Sequence, residues 1–244
     1  GILTRDIQYL LDQRDGHGGF KNTGESAHGY GSAPKPVLDG FITYALVETG
    51  NVDKLQREVK HQAKVAETTD DPYVLALAAR VLGAAEHPGA DKARDRLVKL
   101  QAEDGSFPGA KSSITRSYEA NLLVESTALA ALALMEDPSR RRAVDSAVTW
   151  IMQNRRAHGT WGATQATALA LDALTTHAEL NKRPRTGGKV QVEVNGTVVD
   201  TLRYRADRQE PLVIDGWEGL LKKGENTVVV RQLEGENLPL TVAA

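Results

Sequence analysis

The chain has 244 residues, 30 of them basic and 32 acidic, with a formal net charge of −2 and no cysteine. That length can bury a sizeable core without cross-links, and the lack of cysteine excludes a disulfide framework, a cysteine-ligated zinc site and a cysteine nucleophile within this sequence. The balanced charge argues against a nucleic-acid partner, which calls for a basic excess or stripe, and no apolar run approaches the ~20 residues of a membrane span.

The first predicted element ends at Tyr9-Leu10-Leu11-Asp12-Gln13, followed by the turn Asp15-Gly16-His17-Gly18-Gly19-Phe20. A glycine-rich loop, Gly24-Glu25-Ser26-Ala27-His28-Gly29-Tyr30-Gly31, leads into a helix over Val37–Thr49 that is apolar on most sides. An amphipathic helix over Val52–Ala66 comes next. Asp71-Pro72 then reads as an N-cap followed by a proline in the first helical position, opening the apolar helix Pro72–Ala84. The adjacent acids Asp70 and Asp71 are read as cap chemistry rather than as a metal or catalytic pair.

Pro88-Gly89 punctuates the chain before the amphipathic helix Ala90–Gln101. The helix end Leu97-Val98-Lys99-Leu100-Gln101 and the turn Asp104-Gly105-Ser106-Phe107 repeat the first signature. Asn121–Met135 is apolar almost all round, as only an enclosed helix tolerates. Asp137-Pro138 opens the amphipathic Arg140–Asn154, with Ala143, Val144, Ala147, Val148 and Ile151 on one face and Arg140-Arg141-Arg142 on the solvated side. A third signature, Trp150-Ile151-Met152-Gln153 then His158-Gly159-Thr160-Trp161, precedes the apolar Thr164–Leu174. The spacing fits a helix-pair repeat of about 44 residues, with one unit near Lys54–Lys64 lacking the signature.

After the linker Lys182-Arg183-Pro184-Arg185 the texture changes to short Val-rich alternations. Strands are predicted at Lys189–Asn195, Thr197–Tyr204, Pro211–Ile214, Thr227–Gln232 and Leu238–Val242, the first two joined by Asn195-Gly196, a strong hairpin signal. Enclosed and half-buried helices in alternation predict a mainly α chain: an incomplete α/α toroid of inner and outer helices over residues 1–185. A small all-β sandwich half over 186–244 follows it. About eight helices are counted where a full toroid of this kind has about twelve, so the chain reads as the later part of such a toroid.

Helix–Gln–Asp-Gly–aromatic repeats occur in terpene cyclases and in the thioester domains of complement component three and α2-macroglobulin. The chain resembles the thioester domains more closely. Gly162-Ala163-Thr164-Gln165-Ala166-Thr167 looks like their final inner helix, and Tyr118-Glu119 ahead of Val124-Glu125-Ser126-Thr127-Ala128 resembles the approach to the preceding one. The segment after Gly188 resembles the CUB-like half-module that follows.

The resemblance implies a C-terminal fragment of a bacterial-type α2-macroglobulin-like protease-trap or defence protein, acting as a non-enzymatic scaffold. Its implied partners are proteases or target surfaces, met through the parent protein, and the rest of the macroglobulin chain. Its implied location is periplasmic, cell-surface or secreted. The family's Cys-x-x-Gln thioester is absent from this sequence. In members that esterify hydroxyls, a histidine eight residues after the aromatic of the Asp-Gly repeat attacks the thioester carbonyl. That position falls here on His28.

The alternative for His28 is an ordinary histidine in a glycine loop. His17, His61, His87, His158 and His177 fall in turns or on polar faces, too dispersed to show metal-ligand spacing, and no cofactor is implied. Two other functions compete. One is a thioester-free adhesion or interaction module. The other is a toroid enzyme such as a terpene cyclase or polysaccharide lyase. Thr68-Thr69-Asp70-Asp71 does not supply the Asp-x-Asp-Asp acid of a protonating cyclase, and aromatics make up only 5% of the chain, too few to line a carbocation cavity.

Overall fold

A computed structural model describes residues 2–21, 33–156, 159–181, 186–206, 208 and 212–235. The described residues form eight α-helices followed by three strands. The helices are α1 (Ile2–Asp12), α2 (Lys35–Glu48), α3 (Gln56–Thr68), α4 (Pro72–Ala84), α5 (Ala90–Lys99), α6 (Glu119–Met135), α7 (Arg141–Gln153) and α8 (Thr164–Leu180). Two compact units are separated within α8, Gly1–Thr176 and His177–Ala244.

In the helical unit α2 to α7 alternate as their composition dictates, whereas α8, expected to be enclosed, buries one face only, Ala166, Leu169, Ala170 and Ala173, and leaves Leu171 exposed. α2, α4 and α6 pack side by side in that order, while α3 and α5 lie against α4, and α7 lies against α6. Inner helix α6 is buried without a break from Val124 to Met135, and α4 from Pro72 to Ala79. Outer helices bury one face: Glu58, Val59, Gln62 and Ala66 of α3, for example. Small residues make the inner layer possible. Ala76, Ala78, Ala79, Ala128, Ala130, Ala131 and Ala133 are all fully enclosed, which lets neighbouring helices approach closely. The chain is a mainly helical toroid-type fold with a small β part.

Local signals set the starts. Asp71 Oδ1 accepts from the backbone N–H of Tyr73 at 3.0 Å and of Val74 at 3.3 Å, with Pro72 in the first turn, as the sequence predicts. One start differs from expectation. Val52–Lys54 forms a separate 3-10 turn, and α3 opens only after the fully buried Leu55. The chain uses that turn to insert Leu55 in the core before the amphipathic register begins.

The β unit is a three-stranded antiparallel sheet of β1 (Gly188–Val194), β2 (Thr197–Tyr204) and β3 (Val228–Glu234), in the order β2-β1-β3. Asn195 and Gly196 both take positive φ (51° and 86°), the requirement of a tight hairpin turn. Asn195 Nδ2 also donates to the Leu220 carbonyl at 2.8 Å and to Asn226 Oδ1 at 2.8 Å, pinning the hairpin to the 212–227 loop. The expected strand at Pro211–Ile214 is not seen: residues 212–214 form no ladder. The Asp215-Gly216 bend and a 3-10 turn at Glu218–Leu220 interrupt the extended run, and Val213 is exposed. The strand expected over Leu238–Val242 lies outside the described residues.

Candidate functional site

The three Gly-aromatic signatures fold alike. In each, a backbone N–H just before the glycine turn donates to a carbonyl just after it: Asp15 to Gly19, Ala102 to Ser106 and Arg156 to Thr160, all at 2.9 Å. In each, the N–H of the aromatic donates to a side chain of the helix that follows. Phe20 reaches Asp39 Oδ1 on α2 at 2.9 Å, Phe107 reaches Thr127 Oγ1 on α6 at 3.1 Å, and Trp161 reaches Thr167 Oγ1 on α8 at 3.1 Å. The aromatic ring is buried in all three. The signature is therefore a device that fastens the loop entering the next helix to that helix itself.

Glycine is required in the first two turns by close approach. A Cβ on Gly18 (φ 97°) would sit 2.7 Å from the Arg57 carbonyl of α3, and one on Gly105 (φ 93°) 2.4 Å from the Ser146 carbonyl of α7. Each turn thus seats on an outer helix while its aromatic enters the core. Gln101 reinforces the second, its Nε2 donating to the carbonyls of Gly105 at 3.0 Å and Ala143 at 2.9 Å.

The first turn differs in its charges. Buried Asp39 receives Lys35 Nζ at 2.6 Å and 2.7 Å on its two oxygens, and the same ammonium reaches Asp15 Oδ2 at 3.0 Å. His61 Nε2 of α3 lies 3.9 Å from Asp39 Oδ2. Partial burial opposes the ionisation of Asp15, but the His17 N–H, Lys35 and the Gly19 N–H outweigh it and hold its pKa at about 2. Burial likewise works against the Lys35 charge, and the Asp39 and Asp15 carboxylates override it, raising its pKa. These contacts bracket the loop that carries His28. His28 itself lies outside the described residues, as does His158.

A second polar cluster lies at the start of α6. Glu125 is fully buried; its Oε1 accepts from Ser117 Oγ at 2.5 Å, and Oε2 has no hydrogen-bond partner among the described residues. Tyr73 of α4 is also fully buried, and its hydroxyl accepts from the Ile114 N–H at 3.4 Å.

A family model for the A-macroglobulin TED domain, the thioester domain, matches residues 1–177. The chain belongs to this family. It is 29% identical to complement C3 of Naja naja over 203 residues, which covers 74% of this chain and 12% of that protein. It is 27% identical to A.superbus venom factor 2 of Austrelaps superbus, also over 203 residues and with the same coverage. A third relative, drimenyl diphosphate synthase of Streptomyces showdoensis, is 31% identical over 123 residues, 47% of this chain and 22% of that enzyme. The chain thus spans about an eighth of the length of its two complement-type relatives.

Within this thioester domain, the structure brings together residues that the sequence did not single out. Asp39 and Lys35 form the charged anchor of the first turn, and Glu125 collects the hydroxyls of the loop ahead of α6. One signal was available: a lone acid inside an apolar run, as at Leu38-Asp39-Gly40 and Val124-Glu125-Ser126, costs too much to bury without partners. Asp71 keeps the structural role read for it. Oδ1 caps α4, and Oδ2 accepts from the Lys111 N–H at 2.9 Å.

Proposed function

We propose that the chain is the non-enzymatic scaffold of a thioester domain in an α2-macroglobulin-like protease-trap or defence protein. The observation that carries this reading is the family match over residues 1–177, joined to three loop-to-helix anchors built on one plan. His28 is proposed as the acyl-transfer histidine, on its place eight residues beyond Phe20. Lys35 and Asp39 fix the helix that follows its loop. An imidazole near a helix N-terminus tends to stay neutral, the form that attacks a carbonyl.

Residues 186–244 are proposed as a separate CUB-like β half, following a helical part that ends by 185. The parent is proposed to be bacterial and periplasmic, cell-surface or secreted, and to meet proteases or target surfaces. No helix among the described residues is long and apolar enough to cross a membrane.

The likeness to drimenyl diphosphate synthase favours a second reading, an enzyme on the same helical scaffold. Against it, the acid pair Asp70-Asp71 is spent on structure. Asp71 caps α4 while Asp70 pairs with Arg96 at 3.0 Å.

The test is the intact mass of the full-length parent before and after methylamine. Addition of one methylamine, with His28→Ala shifting capture from hydroxyls toward amines, is the expected result. No adduct on freshly prepared parent would move the reading to a thioester-free interaction module, with His28 an ordinary loop residue.

A further inference from the structure

The loop between the second turn and α6 is held in an unusual way. Ser113 Oγ and Thr115 Oγ1 lie 3.2 Å apart, Thr115 Oγ1 and Ser117 Oγ 3.0 Å apart, and Ser117 Oγ donates to Glu125 Oε1 at 2.5 Å. The Ser117 N–H closes the loop on Ser113 Oγ at 3.0 Å. Three alternating hydroxyls thus converge on one buried carboxyl. Two non-glycine residues of the same stretch, Arg116 (φ 54°) and Glu119 (φ 48°), stand in the left-handed region, which costs about 1–3 kcal/mol each and persists only where surroundings enforce it. Tyr118 between them is exposed, and no side chain caps the start of α6. Against that strain stand the Glu125 cluster, the buried Ile114 with its N–H bond to the Tyr73 hydroxyl, and the Arg116 N–H bond to the Ser113 carbonyl.

The carboxyl is equally unusual. No charged side chain of α4, α5 or α7 acts on it; its titration is governed by burial, which raises the pKa, and by the hydroxyls of Ser117, Ser113 and Thr115, which lower it. The titratable group facing it is Tyr73 of α4, whose own phenol burial pushes far up and keeps neutral. With Oε2 unpartnered, an ionised Glu125 carries a buried charge that, among the described residues, only hydroxyls and no cation offset. Burial wins over the hydroxyls, so the closed loop favours the protonated acid.

We propose that Glu125 is a protonation-controlled latch: protonated, it holds segment 113–119 closed on the start of α6, and ionised, it releases that segment. The linkage sign follows. In the open loop the carboxyl is hydrated and returns toward its ordinary value of 4.5, while in the closed loop it stays above that value. Closure is therefore strongest below pH 4.5 and weakens as pH rises through the closed-loop value.

The experiment is hydrogen exchange on the whole chain from pH 4 to pH 8, corrected for intrinsic rates. Its readouts are the amides of Arg116 and Ser117, bonded within the loop, and of Ile114, bonded to the Tyr73 hydroxyl of α4. The Phe107 amide, bonded to the neutral Thr127 hydroxyl, is the internal control. In the native protein, loop protection should fall by up to about tenfold per pH unit above the onset while Phe107 stays flat. Glu125→Gln, isosteric with the neutral acid, should abolish the slope. Ser117→Ala removes a bond that favours the ionised form and raises the closed-loop value, so the fall should still begin near pH 4.5 but continue to higher pH. A native loop flat in pH, a slope that survives Glu125→Gln, or a fall that Ser117→Ala ends at the same or a lower pH would each overturn the latch.

Discussion

The first and second turns share a backbone and differ in how they hold it. Both place a positive-φ glycine against the carbonyl of an outer helix and send an aromatic N–H to an inner one. At the receiving end, the first turn meets a carboxylate neutralised by Lys35, and the second a threonine hydroxyl, with Ser126 Oγ returning a bond to the Phe107 carbonyl at 2.7 Å. The difference separates what the repeat needs from what one copy adds. The repeat needs the glycine and an acceptor on the inner helix. Charge is particular to the copy that borders the His28 loop.

The shared part is the place to break the comparison hardest. Gly18→Ala and Gly105→Ala each combine a disfavoured φ with a Cβ closer than 3 Å to backbone that cannot swing away. Each should cost about 3–4 kcal/mol in urea unfolding of the whole chain. Gly16→Ala, at φ 82° with nothing within 4 Å, should cost only about 1 kcal/mol. If all three cost the same, backbone strain alone, and not seating on α3 and α7, explains the glycines.

The acceptors sharpen it. Asp39→Ala strands the buried Phe20 N–H and should cost about 2–3 kcal/mol, softened because half-exposed Lys35 can return to water. Thr127→Val removes one neutral acceptor of similar shape and should cost about 1 kcal/mol. Equal losses in paired thermal or urea titrations would mean that the charge adds no hold of its own.

This division also marks what the sequence could show. The enclosed helices were legible because α4 and α6 are apolar around their circumference, a pattern that only an inner layer explains. The glycine turns were legible through their spacing to an aromatic. The anchors were not, since Phe20 and Asp39 are 19 residues apart and no local rule pairs a backbone donor with a distant side chain. The Glu125 cluster was hidden for the same reason: its partners are hydroxyls eight and more residues upstream, brought back by a loop with two strained residues. The β unit was misread where alternation alone was trusted, at residues 212–214, because period-2 pattern over so few residues does not guarantee a neighbouring strand.

The smallest expected effect is the acid response of the first turn. Asp15 Oδ1 accepts from the N–H groups of His17 at 2.8 Å and Gly19 at 3.0 Å, and its folded pKa lies at about 2 against a reference of 3.8. A depressed carboxylate contributes stability that is complete above the reference value and lost as pH falls toward the folded one. Between about pH 4 and pH 2 the first turn should therefore loosen, read as rising exchange at the Gly19 amide after intrinsic correction. Added salt should produce a weaker shift in the same direction by screening Lys35, which is half exposed. Asp15→Asn should flatten the acid response. An acid response of the Gly19 amide that persists in Asp15→Asn would place its origin elsewhere than the Asp15 carboxylate.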